Sequence, residues 1–358
     1  MKIIDMHCDT ISQIWNSRLR GKPLSLRSSG LMLDLEKMKK GGYLLQNFAV
    51  FTNLRLPEDF DGNGTALLSG DSSADSRGRY MDPWHAAKEM IRVFHEEIAA
   101  NSDLIGQVRT YGDIEENSRK GIMCGLLTVE EGGILQGDIS RLADLYREGV
   151  RMMTLTWNYE NELGYPNHPL PGFRKDFRKF FAFVPEKGNG LKKAGFEALH
   201  EMERLGIIPD VSHLSDEGFY DVARTVRGPF VASHSNARSI TGCGRNLTDD
   251  MIRTIAEHGG VTGLNFCQDF VSESPGRDMS VSSLQGLCRH ARHIMNVGGR
   301  EVLGLGTDFD GILPGRLDIE NASRMQRLCG YMEAHGFTQE EIEGIFYKNV
   351  LRVYKEIL

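Results

Sequence analysis

Imidazoles and carboxylates recur in this sequence at the ends of short apolar runs. His7 and Asp9 stand in Asp5-Met6-His7-Cys8-Asp9, and Glu131 stands in Glu130-Glu131-Gly132-Gly133. His213 ends Asp210-Val211-Ser212-His213, His234 lies in Ser233-His234-Ser235, and Asp308 and Asp310 lie in Asp308-Phe309-Asp310-Gly311. Neutral imidazole nitrogen and carboxylate oxygen together suit a divalent ion such as zinc, with no thiolate required. A single carboxylate can bridge two ions about 3.5–4 Å apart, as two-metal hydrolysis needs. His7 and Asp9 are two residues apart, so an extended strand turns both to one side and Cys8 to the other.

Each residue also has a plainer reading. A lone His at a strand end is more often a hydrogen-bonded structural group than a ligand, and Asp310-Gly311 is a common turn pair. Glu130 reads as a helix-start or surface carboxylate. His85, His95, His200, His258 and His335 fall on helices or near their ends and read as solvated, while His290 and His293 support neighbours at most. What favours a metal is recurrence: the candidates follow the first, third, fifth, sixth and eighth strands.

Those strands are read from apolar, β-branched runs that follow Gly or Pro: Ile3–Met6, Tyr43–Phe51, Ile122–Val129, Val150–Thr156, Ile207–Val211, Phe230–Ala232, Gly260–Phe266 and Val302–Leu305. Helical spacing fills the gaps, as in Trp84, Ala87, Ile91, Phe94 and Ile98. Glycines at 149, 206 and 259 are placed as C-terminal stops, and Thr338-Gln339-Glu340-Glu341 is a capping box for the last helix. Strand–helix alternation predicts an α/β chain with parallel strands. Eight units predict a TIM-type (β/α)8 barrel, whose strand C-termini open on one face and carry the active site. The alternative is an open doubly wound sheet, although no GxGxxG follows the first strand. Residues 53–83 and 158–190 read as long loops after early strands. We expect one catalytic domain over 1–358, ending in a C-terminal helix.

The 358 residues are 40% hydrophobic and 25% charged, with net charge −7 and no basic run. That argues against a nucleic-acid partner. No stretch approaches the roughly 18 apolar residues of a membrane span, and the first residues leave no room for a signal peptide's apolar core. Six scattered cysteines without a CxxC pair fit reduced thiols and a cytoplasmic enzyme. A homodimer is an assembly open to such a chain.

Taken in order, these motifs resemble the membrane (renal) dipeptidase family of zinc dipeptidases, nearly end to end. The likeness includes Asp5-x-His7-x-Asp9, Glu131-Gly132-Gly133, Asp210-x-Ser212-His213, Ser233-His234-Ser235, Arg245-Asn246, Asp308-Phe309-Asp310-Gly311 and Asn349-Val350-Leu351-Arg352-Val353. The resemblance implies a metal-dependent hydrolase barrel with two zinc ions per chain. His7, Asp9 and Glu131 would hold one ion, and Glu131, His213 and His234 the other. Arg245 would bind the carboxylate of a dipeptide, and Asp308 would handle the proton of a water activated between the ions. The chain departs from the mammalian enzymes at Trp157, where they carry a His thought to contact substrate, so Trp157 becomes a candidate wall of the substrate pocket. The mammalian lipid-anchor tail is also missing. Two rivals stand beside this reading. One is another barrel amidohydrolase acting on a cyclic amide, lactone or phosphoester, which would usually begin His-x-His and bridge with a carboxylated Lys. The other is a non-catalytic metal-binding protein.

Overall fold

The computed structural model describes residues 1–52, 82–167, 188–272, 281–313 and 315–358. Most of the two long loops expected from the sequence, including Asp71–Ser76 and Pro169, Pro171 and Pro185, lies outside the described residues. Among the described residues nine strands form one parallel sheet: β1 (Ile3–Asp5), β2 (Tyr43–Phe51), β3 (Ile105–Val108), β4 (Met123–Glu130), β5 (Val150–Thr154), β6 (Ile208–Asp210), β7 (Val231–Ala232), β8 (Val261–Leu264) and β9 (Leu303–Leu305). The order runs β2-β1-β9-β8-β7-β6-β5-β4, and β2 pairs directly with β4, which closes the ring. The closed barrel holds the eight strands expected from the apolar runs and excludes the open-sheet alternative.

β3 is the addition. It pairs with Met123–Leu126 of β4, whereas β5 pairs with Leu127–Glu130 on the same edge. The two short strands therefore share β4 end to end, with β3 beneath β5 at the end where the strands begin. Its sequence, Ile-Gly-Gln-Val, lacks the continuous apolar run of a strand buried on both faces, and Gly106 and Gln107 are only half-buried.

Inside the barrel, Ile4, Met6, Leu45, Leu126, Met152, Ile208, Val231 and Val261 pack against Val350, Val353 and Tyr354 of the C-terminal helix Asn349–Ile357. Asn349 Nδ2 donates to the carbonyl of Leu303, the first residue of β9, at 2.8 Å. Tyr354 Oη donates to Asn47 Oδ1 at 2.9 Å. The helix thus plugs the end where the strands start, and the opposite end is left for chemistry. The capping box at Thr338 is formed, but it opens a short helix (Gln339–Glu343) that reaches the terminal helix through a π turn at Gly344–Lys348. Gly149 (φ 101) and Gly206 (φ 81) end their helices in the left-handed conformation that an L side chain disfavours. Among the described residues no helix is long and apolar enough to cross a membrane.

Candidate active site

At the C-terminal end of β4 the side chains alternate, so Cys124, Leu126, Thr128 and Glu130 share one face. Cys124 and Leu126 belong to the barrel interior. The last position in that row, Glu130, therefore enters the mouth of the barrel. Its Oε1 lies 3.1 Å from His213 Nε2 and 3.5 Å from His234 Nε2, and its Oε2 lies 3.5 Å from His7 Nε2. Glu130, not Glu131, is the carboxylate among the imidazoles, which corrects both the ligand expected at 131 and the surface role expected for 130. Glu131 lies beyond the strand with φ 90, and its buried carboxylate turns the other way. It accepts from the backbone N–H of Gly133 (2.7 Å) and of Trp157 (2.9 Å) and from Asn161 Nδ2 (2.5 Å). Glu131 thereby ties the segment after β5 to the end of β4.

His213 follows β6 and His234 follows β7. Asn158 Oδ1 lies 3.0 Å from His213 Nδ1, and Ser233 Oγ lies 2.7 Å from His234 Nδ1. With an oxygen partner at each Nδ1, both rings turn Nε2 inward, 3.1 Å apart. The His7 ring stacks on His234 with centroids 3.8 Å apart. His7 Nε2 is also 3.6 Å from Asp9 Oδ2 and 3.9 Å from Asp308 Oδ1. A Cβ on Gly311 would overlap the carboxylate oxygens of both Asp9 and Asp308, so only glycine lets the chain pass this close.

Asp308 (φ 62) turns Oδ2 to Asn265 Nδ2 at 3.1 Å and leaves Oδ1 beside His7. Asp310 faces elsewhere. It accepts from Thr10 Oγ1 (2.6 Å) and from the backbone N–H of Met32 (2.7 Å), anchoring neighbouring segments. Cys8 points away from the ligands, as alternation required, with Sγ directed at the carbonyl of Asn47. His290 is buried, accepts from the backbone N–H of Ala237 at 3.2 Å and lies 3.2 Å from Thr241 Oγ1. It braces the loop after β7 and does not reach the site.

Arg245 is 2% exposed. Its Nη1 donates to Ser235 Oγ at 2.5 Å, its guanidinium lies over Phe270, and its Nε and Nη2 have no hydrogen-bond partner. His7 Nε2 and Asp9 Oδ1 are likewise buried without a partner. Buried polar atoms are seldom left so unless something else binds there. Glu130 and Asp308 lie within electrostatic reach of the Arg245 guanidinium, and the Nε2 atoms of His7, His213 and His234 face carboxylate oxygens. A divalent cation fits that donor set. Among the described residues, two sets of side chains each bring their ligand atoms within 4.8 Å of one another: His7, Glu130 and His234, and His7, Asp9 and Asp308.

Burial pushes Asp308 and Glu131 up to about 7, and Asp5 and Asp310 up to about 6. Burial alone would lower His7, but Glu130 and Asp9 outweigh it and hold the ring well above its ordinary value. In the metal-free chain these groups keep protons that an unfolded chain has lost. Their stabilisation is full below the ordinary values and is lost as pH rises through about 6 to 7, and higher still for His7. His213 and His234, pushed well down by burial, act in the opposite sense, but only below their ordinary value of 6.5. The melting temperature of chelator-treated protein should therefore fall between about pH 6.5 and pH 8.5. A rise across that interval in a thermal-shift series would contradict this charge assignment.

Trp157 is half-buried, with its ring 4.8 Å from Phe51, 5.5 Å from Tyr159 and 6.2 Å from His213 by centroids. It stands beside the imidazole cluster as part of an aromatic wall. An aromatic contact is worth about 0.5–1.5 kcal/mol. Trp157→Ala should thus shift the ratio of kcat/KM between bulky and small substrates by roughly 2–10-fold and leave metal content unchanged. Unfolding of the variant would instead make Trp157 a packing residue of the barrel rim.

The model of the membrane dipeptidase family, peptidase family M19, matches residues 1–358. An uncharacterized dipeptidase of Schizosaccharomyces pombe is 31% identical over 99% of this chain and 80% of its own length. An uncharacterized Klebsiella pneumoniae protein encoded in the pqqA 5′ region is also 31% identical, over 77% of this chain and 97% of its own. Among solved structures, dipeptidase AC, a metallo peptidase of family M19, superposes with TM-score 0.82 at 26% identity, covering 100% of this chain and 98% of its own. A metallo peptidase from Rhodobacter sphaeroides, liganded with a phosphinate mimic of the dipeptide L-Ala-D-Ala, superposes equally well (TM-score 0.82) at 25% identity, covering 100% and 99%.

Proposed function

This chain belongs to the membrane dipeptidase family, peptidase family M19, and on that premise we propose that it hydrolyses the peptide bond of free dipeptides with two zinc ions at the mouth of the barrel. The supporting observation is the set of buried, partnerless atoms collected there: His7 Nε2, Asp9 Oδ1, and Arg245 Nε and Nη2. His7, Asp9 and Glu130 would hold one ion, and Glu130, His213 and His234 the other, with Glu130 in the shared place first expected of Glu131. When bound, zinc supplies Lewis-acid polarisation of a carbonyl and makes a neighbouring water more acidic.

The chain's own groups supply the rest. Asp308, held at Oδ2 by Asn265 and pushed by burial to about 7, takes a proton from the attacking water at Oδ1 and returns it to the leaving amine. A group that titrates near neutrality can do both. Arg245 presents two free guanidinium nitrogens from a water-poor position. A carboxylate engages such a fork through paired hydrogen bonds, which a lysine cannot reproduce. The C-terminal carboxylate of a dipeptide lies one residue beyond the scissile bond, so a fixed Arg245 measures substrate length.

The test compares a free dipeptide with its C-terminal amide. Wild type should cleave the acid far faster. Arg245→Lys should lose about 10–100-fold in kcat/KM on the acid, because a hydrogen bond to a charged group is worth about 1.5–3 kcal/mol. Equal rates on acid and amide would reject the role of Arg245 and leave a broader amidohydrolase. Elemental analysis of gently purified protein should find close to two metals per chain, with activity lost on chelation.

A further inference from the structure

Two buried aspartates that take no part in the steps above, Asp5 and Asp210, make the same three hydrogen bonds at two places in the barrel, to which Asp210 adds a fourth from Thr154 Oγ1 at 2.7 Å. Asp5 ends β1 and is in register with Leu305 of β9. Its carboxylate accepts from the N–H of His7, two residues on, at 3.3 Å. It also accepts from both the N–H (2.9 Å) and the O–H (2.7 Å) of Thr307, two residues past Leu305. Asp210 ends β6 and is in register with Val231 of β7. Its carboxylate accepts from the N–H of Ser212, two residues on, at 2.9 Å. It accepts in the same way from the N–H (2.9 Å) and the O–H (2.5 Å) of Ser233, two residues past Val231. In the closed order of eight strands, β1 and β6 stand opposite one another. One clamp is therefore used twice, across the barrel mouth.

Each clamp grips residues adjacent to the site. Thr307 precedes Asp308, and Ser212 precedes His213. Asp308 (φ 62) and His213 (φ 67) both occupy the left-handed region that an L side chain disfavours. A backbone held at its neighbour keeps each in place. The copies then diverge. Thr307 Oγ1 accepts from the backbone N–H of Phe309 at 3.3 Å. Ser233 Oγ lies instead 2.7 Å from His234 Nδ1. A serine hydroxyl has one proton, and that of Ser233 goes to Asp210, so the hydroxyl can only accept from His234. The imidazole must then carry its proton on Nδ1, and Nε2 is left as a lone pair facing Glu130 and His213.

We propose that Asp5 and Asp210 are positioning residues of the metal centre, two copies of one clamp, and that Asp210 acts through Ser233 to keep the His234 proton on Nδ1 and Nε2 free for an ion. The Asp5 copy has a different output: through Thr307 it sets Asp308, the proton carrier. The inference rests on the metal reading of this site, and the experiment separates the two. Zinc affinity is measured by chelator competition, turnover on a dipeptide, and the His234 tautomer by nitrogen-15 NMR of the chelated protein.

Chelated wild type should show His234 protonated at Nδ1. Ser233→Ala should bind zinc about 10–100-fold more weakly, the usual cost of losing a partner behind a metal-binding histidine, and should lose the tautomer preference. Thr307→Val, which keeps the shape and removes the hydroxyl, should keep near-wild-type zinc affinity and lower kcat, and Thr307→Ser should restore it. A chelated wild type with the His234 proton on Nε2 overturns the proposal, as does a Ser233→Ala protein with undiminished zinc affinity. So would a pair of variants that merely melt earlier, with zinc affinity and kcat intact. Wild type that binds no zinc at all would instead remove the metal reading beneath it.

Discussion

Glu130→Gln should leave the chain without stoichiometric metal and without measurable turnover, whereas Glu131→Gln should keep its metal. The two residues are adjacent and chemically identical, so the pair isolates position from residue type. Glu130 is 3% exposed, and its two oxygens meet three imidazole nitrogens at 3.1–3.5 Å. An amide there offers one oxygen in place of two and turns N–H donors toward groups that need a cation. Burial pushes the Glu130 carboxyl up, with His7 offsetting part of that rise, so its ionised form depends on the positive charge it shares. Glu131→Gln loses something else. Three donors converge on that carboxylate, from Gly133, Trp157 and Asn161, and an amide cannot accept from all of them. The expected loss is about 1–3 kcal/mol of stability, the cost of leaving a buried donor unpaired, with a shifted Trp157 segment. Elemental analysis and thermal melts of the two variants decide it: if Glu131→Gln is the protein that loses metal, the ligand is Glu131 and not Glu130.

Asp308→Asn should keep metal and fold while cutting kcat by roughly 10²–10⁴, the usual worth of a positioned general base. The reason is the division of labour within one carboxylate. Oδ2 is engaged by Asn265 at 3.1 Å, and an asparagine carbonyl can replace it there. Oδ1 faces His7 at 3.9 Å, and an amide at that point cannot accept a proton from water. Asp308 also lies within ligand distance of His7 and Asp9, so metal content is the decisive second reading. Loss of an ion together with turnover would make Asp308 a ligand and move the proton to another group. Normal turnover would end its catalytic role altogether.

How far the sequence alone reached follows from the range of the forces involved. The eight barrel strands were legible because burial on both faces demands continuous apolar, β-branched runs, and that demand is local. The helix stops at Gly149 and Gly206 were legible for a similar reason, since the left-handed conformation is a property of single residues. The placement of His7, Asp9, His213, His234 and Asp308 at one end of the barrel followed from parallel topology, which sends all strand C-termini to one face. β3 escaped because Ile-Gly-Gln-Val carries too little apolar signal, and it is a strand only because the edge of β4 offers it partners. The choice between Glu130 and Glu131 lay within reach of period-two counting from Leu126 and Thr128, whereas the Glu-Gly-Gly motif points one residue on. What decided it is a backbone that leaves the strand at Glu131 with φ 90, which no pattern of residue types announced. Asp5, Asp210, Ser233, Asn158 and Asn161 were beyond sequence reasoning for a stronger reason. Their meaning lies in hydrogen bonds to residues far along the chain, up to 302 positions away for Asp5 and Thr307. Such partners become neighbours only when the barrel closes.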